Sequence, residues 1–97
     1  MIRHVVLFTW TPDMTDAMEQ QFAAELTALA ATLPGLRAYH AGPDEGINQG
    51  NFDFAVVADF DDVDSYRSYR DNAEHQDIIS RFSGPRAKSR AAVQYEI

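Results

Sequence analysis

A histidine within an apolar helical stripe is the first feature of this chain that could do chemistry. Four residues recur at the i, i+3, i+4 and i+7 spacing of one helix face: His75, Ile78, Ile79 and Phe82. Burial in such a stripe disfavours the imidazolium, so we expect the pKa of His75 to move away from its free value of about 6.5. A neutral imidazole near physiological pH is a suitable general base.

Two other polar side chains are candidates to share the surroundings of His75. Tyr69 lies shortly upstream, and His4 interrupts an otherwise apolar strand. A phenol, with a pKa of about 10, can donate a hydrogen bond to the oxygen of a developing enolate. If the three residues meet, a base and a donor of these types suit proton abstraction alpha to a carbonyl, a hypothesis that the family resemblance described below supports. In this hypothesis His75 is the base, Tyr69 is the oxyanion donor, and His4 orients His75 or a bound water.

Each of these side chains also has a purely structural interpretation. A histidine on an apolar helix face is commonly buried and hydrogen-bonded to a backbone carbonyl or a tyrosine, and perturbed groups occur in structural networks too. Tyr69 could pack its ring in the core with the hydroxyl at the surface. The spacing alone leaves both interpretations open.

Composition and charge narrow the classes of partner. The chain has 97 residues and no cysteine, which predicts a single domain over residues 1–97 and fits a reducing, cytoplasmic location. Its formal net charge of −7 argues against nucleic acid and against anionic membrane surfaces. No apolar run approaches the roughly 20 residues that span a bilayer. We expect a small apolar or aromatic ligand, and a second copy of the chain, as partners.

The order of predicted elements is β-α-β-β-α-β, the ferredoxin-like α+β arrangement. It predicts a four-stranded antiparallel sheet with the helices on one face. The predicted elements are a strand at 2–10, a helix from an N-cap at Thr15 to Leu33, strands at 36–41 and 52–60, a short helix after Asp61 and Asp62, a helix capped by Asp71 that carries His75, and a strand from Ser89 to Ile97.

Two of the strands are apolar on both faces at their centres, namely residues 2–10 and 52–60. Two helices can cover only one face of a four-stranded sheet, so another surface must cover the second face. The simplest candidate is a twin chain. We therefore predict a homodimer in which two sheets pack face to face and close a barrel-like core.

No metal or cofactor motif is evident. His4, His40 and His75 share no short spacing of the kind that zinc sites use. The acidic residues between 59 and 64 are better explained by a strand end and by helix caps than by a calcium loop. The sequence predicts neither a metal nor a cofactor.

With these motifs placed, the whole chain resembles the stress-responsive dimeric α/β-barrel (Dabb) domain family. The resemblance rests on the order and spacing of five segments: Ile2–Phe8, Pro34-Gly35, Asp53–Val57, His75-Gln76 and Ser89–Glu96. It implies the dimeric ferredoxin-like barrel fold.

Within that family, the chain is similar to the plant polyketide cyclase type (olivetolic acid cyclase-like), which implies cofactor-free chemistry. There a histidine and a tyrosine near the second helix promote an aldol ring closure in a tunnel. Tyr69 and His75 stand at the matching positions, and His4 matches a further pocket histidine. The chain departs from that pattern at Phe54, where the cyclase carries a histidine, and at Asn72-Ala73, where the family commonly has His-Pro.

Four phenylalanines are the candidate apolar contacts for a substrate: Phe8, Phe22, Phe54 and Phe82. An open channel that reaches Tyr69 and His75 would favour catalysis. A plug of these four rings would favour the alternative, a non-catalytic dimer that binds a small hydrophobic ligand or is purely structural.

A haem-degrading monooxygenase is a further alternative with the same barrel architecture. Those enzymes place a helix histidine on iron and also need a tryptophan and an asparagine in the pocket. The single tryptophan here, Trp10, lies at a strand end, and the first strand offers His4 in place of the asparagine. The sequence therefore disfavours haem chemistry.

Overall fold

The computed structural model describes all residues 1–97 and confirms the ferredoxin-like βαββαβ fold. Its four strands form one antiparallel sheet in the order β2-β3-β1-β4. The elements are β1 (Ile2–Trp10), α1 (Asp16–Ala30), β2 (Leu36–Pro43), β3 (Phe54–Phe60), α2 (Val63–Asp71), α3 (Ala73–Arg81), a short α4 (Ser83–Arg86) and β4 (Ala87–Glu96).

The sheet has one covered face and one open face. On β1, the side chains of His4, Val6 and Phe8 are buried on the face that the helices cover, because alternate residues of a strand point to opposite sides. Val5 and Leu7, on the other face, are only half-buried. The open face therefore carries apolar side chains that nothing in a single chain covers.

The main core lies between α1, α3 and the covered face of the sheet. Its nine buried members are Val6, Phe8, Phe22, Leu26, Leu29, Phe54, Val56, Ile78 and Phe82. A smaller cluster of Ala58, Phe60 and Tyr69 lies under α2. Tyr69 thus belongs to a packed layer, and the candidate site must lie where the two clusters meet.

α1 ends earlier than its apolar pattern predicts. It stops at Ala30. Leu33 lies beyond the helix, and its backbone N–H donates to the carbonyl of Ala30. Pro34 explains the early end, since a proline disfavours helical geometry in the residue before it. With 15 residues α1 is the longest helix, and no helix is long and apolar enough to cross a membrane.

The strand boundaries also shift by a few residues. β2 continues to Pro43, and β4 begins at Ala87 directly after α4 rather than at Ser89. β3 begins at Phe54. Asp53 precedes it and is still bonded on both sides: its backbone N–H donates to the carbonyl of Phe8 and its carbonyl accepts from the N–H of Asp44, each at 2.8 Å. The carboxylate of Asp53 also accepts from the backbone N–H of Trp10 at 2.8 Å.

Gly35, in the turn between α1 and β2, offers a test of this packing. Its φ is +81°, and an added Cβ would overlap Ser65 Oγ and lie 2.9 Å from Ser65 Cβ. We expect Gly35→Ala to lower the free energy of unfolding by more than the roughly 1–3 kcal/mol that a strained backbone alone costs. Gly46→Ala is the matched control, because Gly46 has φ +77° and open space around it. Equal losses in chemical denaturation would contradict the proposed overlap.

Candidate active site

A half-open cavity of about 350 Å³ lies between the helices and the covered face of the sheet. Strands β1, β3 and β4 form one wall, and all four helices contribute to the other. His4, Tyr69 and His75 all line it. The fold therefore brings together the three residues selected from the sequence.

The four candidate phenylalanines divide into two groups. Phe8 and Phe22 line the cavity, whereas Phe54 and Phe82 lie in the adjoining core. The ring of Phe22 is 5.4 Å from that of Phe54 and 5.7 Å from that of Phe82, centre to centre. Phe8 and Phe22 thus form an apolar floor of the cavity, and Phe54 and Phe82 pack against Phe22 in the core.

The junction between α2 and α3 holds the backbone of His75. The side-chain oxygen of Asn72 accepts from the N–H of Glu74 at 2.9 Å and from that of His75 at 3.1 Å. The predicted cap, Asp71, is wrong: this residue ends α2, and its carboxylate pairs with Arg70. Asn72 caps α3 because it has extended backbone geometry while Asp71 is still helical.

The same junction sets the protonation of the His75 ring. Its Nδ1 lies 3.3 Å from the backbone carbonyl oxygen of Arg70. A carbonyl can only accept, so Nδ1 carries the proton and Nε2 of the neutral ring has a free lone pair. Burial lowers the pKa of His75, and the Arg70 bond only partly opposes this shift. The ring is therefore neutral at pH 7, with Nε2 able to accept a proton.

Tyr69 packs against His75 and is hydrogen-bonded to a second tyrosine. The rings of Tyr69 and His75 are 4.2 Å apart, centre to centre. The Tyr69 hydroxyl lies 2.8 Å from the hydroxyl of Tyr39 on β2. Burial raises the pKa of Tyr69 to about 12, and the bond from Tyr39 acts in the opposite direction. Burial also raises the pKa of Tyr39, so both phenols keep their protons.

His4 is buried at the cavity wall and faces β4. The side-chain amide of Gln94 donates to His4 Nδ1 at 2.8 Å, which leaves the ring proton on Nε2. Burial, followed by the positive charges of Arg90 and His75, lowers the pKa of His4 to about 4. His4 is thus a neutral donor at pH 7, whereas His75 is a neutral acceptor.

Sequence reasoning missed three residues of this arrangement: Tyr39, Gln94 and Arg90. Gln94 is the cross-strand partner of His4, and Arg90 is that of Phe8. The available signal was the alternation of β4, in which both residues fall on the side away from Val93. Using that signal required the register between β1 and β4, which the sequence does not specify.

The structure shows neither a cluster of metal-binding side chains nor a tryptophan in the cavity. No group of three or more His, Cys, Asp or Glu side chains is arranged to hold a metal ion. Trp10 lies outside the cavity, stacked on Phe8 at 4.9 Å between ring centres, and its indole N–H donates to Glu19 at 2.8 Å. The tryptophan is therefore not a cavity residue.

A model of the stress-responsive A/B barrel domain (Dabb) matches residues 2–97. No curated protein matches the chain significantly. Among solved structures, a dimeric ferredoxin-like protein of unknown function from Thermobifida fusca is 38% identical, with a TM-score of 0.90; the match covers 99% of this chain and 90% of that one.

Two further structures extend the comparison. A dimeric ferredoxin-like protein of unknown function from Bacteroides fragilis is 25% identical, with a TM-score of 0.77 and coverage of 99% and 95%. The hydroxynitrile lyase of Passiflora edulis is 18% identical, with a TM-score of 0.83 and coverage of 99% and 92%. At that identity the likeness to the lyase shows a shared fold alone.

Proposed function

Because this chain belongs to the stress-responsive A/B barrel domain family, whose fold does not by itself assign a reaction, we propose a function from its cavity. The cavity binds a small, mainly apolar carbonyl compound. His75 removes a proton from the carbon alpha to the carbonyl, and no cofactor takes part. The reaction class is polyketide-cyclase-like: an enolate forms and closes a ring by aldol addition.

One observation carries this proposal: Nδ1 of His75 lies 3.3 Å from the Arg70 carbonyl oxygen, so its proton is held there and Nε2 is left unprotonated on a residue that lines a half-open cavity. A general base needs a free lone pair, a pKa near or below the working pH, and access for a substrate. His75 meets all three requirements. A purely structural histidine needs only the hydrogen bond from Nδ1 to the Arg70 carbonyl.

The proposed step conserves charge and atoms. His75 Nε2 takes the alpha proton, the C–H electron pair forms the C=C bond of the enolate, and the π pair of the carbonyl moves onto its oxygen. The enolate carbon then attacks a second carbonyl of the same molecule, forming the C–C bond. The protonated His75 returns its proton to the resulting alkoxide, so the ring closes without any external oxidant or reductant.

Two donors would stabilise the enolate oxygen. The first is the hydroxyl of Tyr69, which lies 2.8 Å from that of Tyr39: with Tyr39 as the donor in this bond, the Tyr69 proton is left for the ligand. The second is the Nε2–H of His4, fixed by the bond from Gln94. Each positioned donor in a partly dehydrated site contributes about 10²-fold or more to the rate.

The direct test is cyclisation of a linear poly-β-ketone by the purified protein, followed by chromatography of the ring product. We expect wild type and His40→Gln to accelerate the reaction equally, since His40 lies outside the cavity. No acceleration over buffer by either protein would contradict the catalytic proposal.

The pH profile of this reaction follows from His75. Its pKa is lowered by burial, so the neutral base is present above that pKa and is lost as the pH falls through it. We expect kcat/KM to be flat at neutral pH and to fall on an acidic limb whose midpoint lies below about 6.5, the ordinary pKa of a free histidine. A midpoint above 6.5 would contradict burial as the dominant influence on this group.

A second candidate function is non-catalytic binding of a small apolar ligand. The Tyr39–Tyr69 hydrogen bond favours it if Tyr69 is the donor, because the Tyr69 proton is then engaged without any substrate. Calorimetry with a non-reactive ketone separates the two functions. Binding with no cyclisation of any tested poly-β-ketone would favour this second function.

We also propose that the chain forms a homodimer through the open face of the sheet, as the Thermobifida and Bacteroides proteins are described as dimeric. Val93 and Tyr95 are 54% and 45% exposed on that face, beside Val5 and Leu7. A face of this kind is stable in water when a second copy covers it.

A charge on the open face of the sheet tests the dimer. We expect Val93→Lys to sediment as a monomer at micromolar concentration, because a two-fold interface would bury the lysine twice without a partner. Ser68→Lys, on the exposed side of α2, adds the same charge away from the sheet and should remain dimeric. A monomeric wild type, or a dimeric Val93→Lys, would contradict this interface.

A further inference from the structure

The charges around the cavity have the opposite sign to the net charge of the protein. The chain has 15 acidic residues against 8 lysines and arginines, yet no aspartate or glutamate lines the cavity. The only lining side chains with a full charge at neutral pH are Arg70 and Arg90. A cationic opening in an anionic protein is a local feature that selects for an anionic group on the ligand.

Of these two arginines, Arg90 has no partner of its own. Arg70 is held by Asp71 through two hydrogen bonds of 2.8 and 3.0 Å. The guanidinium of Arg90 forms none of the side-chain hydrogen bonds or ion pairs of the structure, although the arginines at positions 3, 37, 67, 70, 81 and 86 all have carboxylate partners. Its donors are therefore available to a ligand.

Arg90 also acts on the same groups as the proposed chemistry. It lies on β4 opposite Phe8, on the face that carries His4 and Gln94. Its positive charge adds to the lowering of the pKa of His4 by burial, and it opposes the rise that burial causes in the pKa of Tyr69. An anion that binds Arg90 would therefore lie within electrostatic reach of both donors.

We propose that Arg90 binds the carboxylate of the substrate, which makes the substrate class an apolar keto acid. This inference rests on the proposed function and specifies the ligand of the same site. The apolar body would contact Phe8, Phe22 and Leu26, and the carboxylate would remain at the cationic opening. A guanidinium suits this role because its parallel N–H groups match the two oxygens of a carboxylate.

The proposal is tested with two probes of equal length, octanoate and octanamide, by titration calorimetry at low salt. We expect wild type to bind octanoate about tenfold more tightly, with the difference reduced by added salt because the opening is exposed to solvent. Arg90→Met should lose this preference and bind octanamide as wild type does. Lys88→Met removes the same charge from the same strand, outside the cavity lining, and should retain the preference.

The outcomes separate this inference from the proposed function. Shifts of the His4 and His75 ring-proton resonances report that a probe occupies the cavity. The carboxylate site would be contradicted if wild type bound octanamide in the cavity as tightly as octanoate. It would also be contradicted if Arg90→Met and Lys88→Met lost the preference for octanoate equally. Either result would leave the proposed base intact. A preference that depends on Arg90, without any cyclase activity, would support the carboxylate site and contradict the catalytic proposal. Failure of both probes to bind would contradict the two together.

Discussion

His75→Gln is expected to lower the cyclisation rate by about 10²- to 10⁴-fold, the usual contribution of a positioned general base. Glutamine keeps a polar side chain of similar length in the α3 stripe but cannot take a proton at neutral pH. The loss should appear in kcat, because the apolar floor formed by Phe8 and Phe22 still binds the substrate. The measurement is the steady-state rate with a linear poly-β-ketone at pH 7.

His40→Gln provides the matched control for this substitution. It makes the same chemical change at the histidine of β2, which lies outside the cavity on the open face of the sheet, and while the variant remains dimeric its rate should equal that of wild type. Thermal unfolding of both variants verifies that each is folded. A folded His75→Gln protein with wild-type kcat would show that His75 is not the base.

Phe54→Ala is expected to lower the free energy of unfolding by about 3–5 kcal/mol, the typical cost of truncating a buried phenylalanine. Phe54 is 1% exposed and contacts the rings of Phe8, Trp10 and Phe22 at 5.4 to 6.5 Å between centres. Its removal leaves a hole in the main core rather than in the cavity wall. Chemical denaturation at a fixed protein concentration measures the change, since dimerisation contributes to the apparent stability.

Val63→Ala is the control for this prediction, because Val63 is 44% exposed at the start of α2. Its effect should stay within about 0.5 kcal/mol, as for most surface substitutions. A loss below about 1 kcal/mol in Phe54→Ala would contradict the placement of this ring in the packed core. It would support a substrate-contacting role for Phe54 instead.

The fold was predictable because its signals are local and repeated. The alternation of β1 and β3 and the stripe of α1 each define a buried face, and their order leaves few ways to arrange them. The stripe around His75 is a signal of the same kind, so its position on a helix was predictable, and His75 lies on α3. Tyr69 and His4 were identified through a family resemblance as well as their residue types.

The hydrogen-bond partners of the site could not be predicted because they come from distant parts of the chain. Tyr39 meets Tyr69 only through the packing of α2 on the sheet, and Gln94 meets His4 only through one register of β4. A shift of that register by one residue would turn Gln94 to the open face. Residue type and spacing contain no information on how α2 packs on the sheet or on which register β4 adopts.

The division among the four phenylalanines has a similar origin. Phe8 and Phe54 are direct partners in the β1–β3 ladder, yet only Phe8 reaches the cavity wall. Side-chain packing among Trp10, Phe22 and Phe82 decides which ring faces the opening and which faces the core. Hydrophobic pattern identifies all four as buried but does not separate these roles.

The central claim is that His75 presents an unprotonated Nε2 to the cavity at neutral pH. The nitrogen-15 chemical shifts of the ring, recorded by NMR at pH 7, test it most directly. We predict a protonated, hydrogen-bonded Nδ1 and a Nε2 with the chemical shift of a free lone pair, unchanged until the pH falls below about 6.5, the ordinary pKa of a free histidine. A protonated Nε2 at pH 7, in either the other neutral form or the imidazolium, would contradict the assignment of His75 as the base.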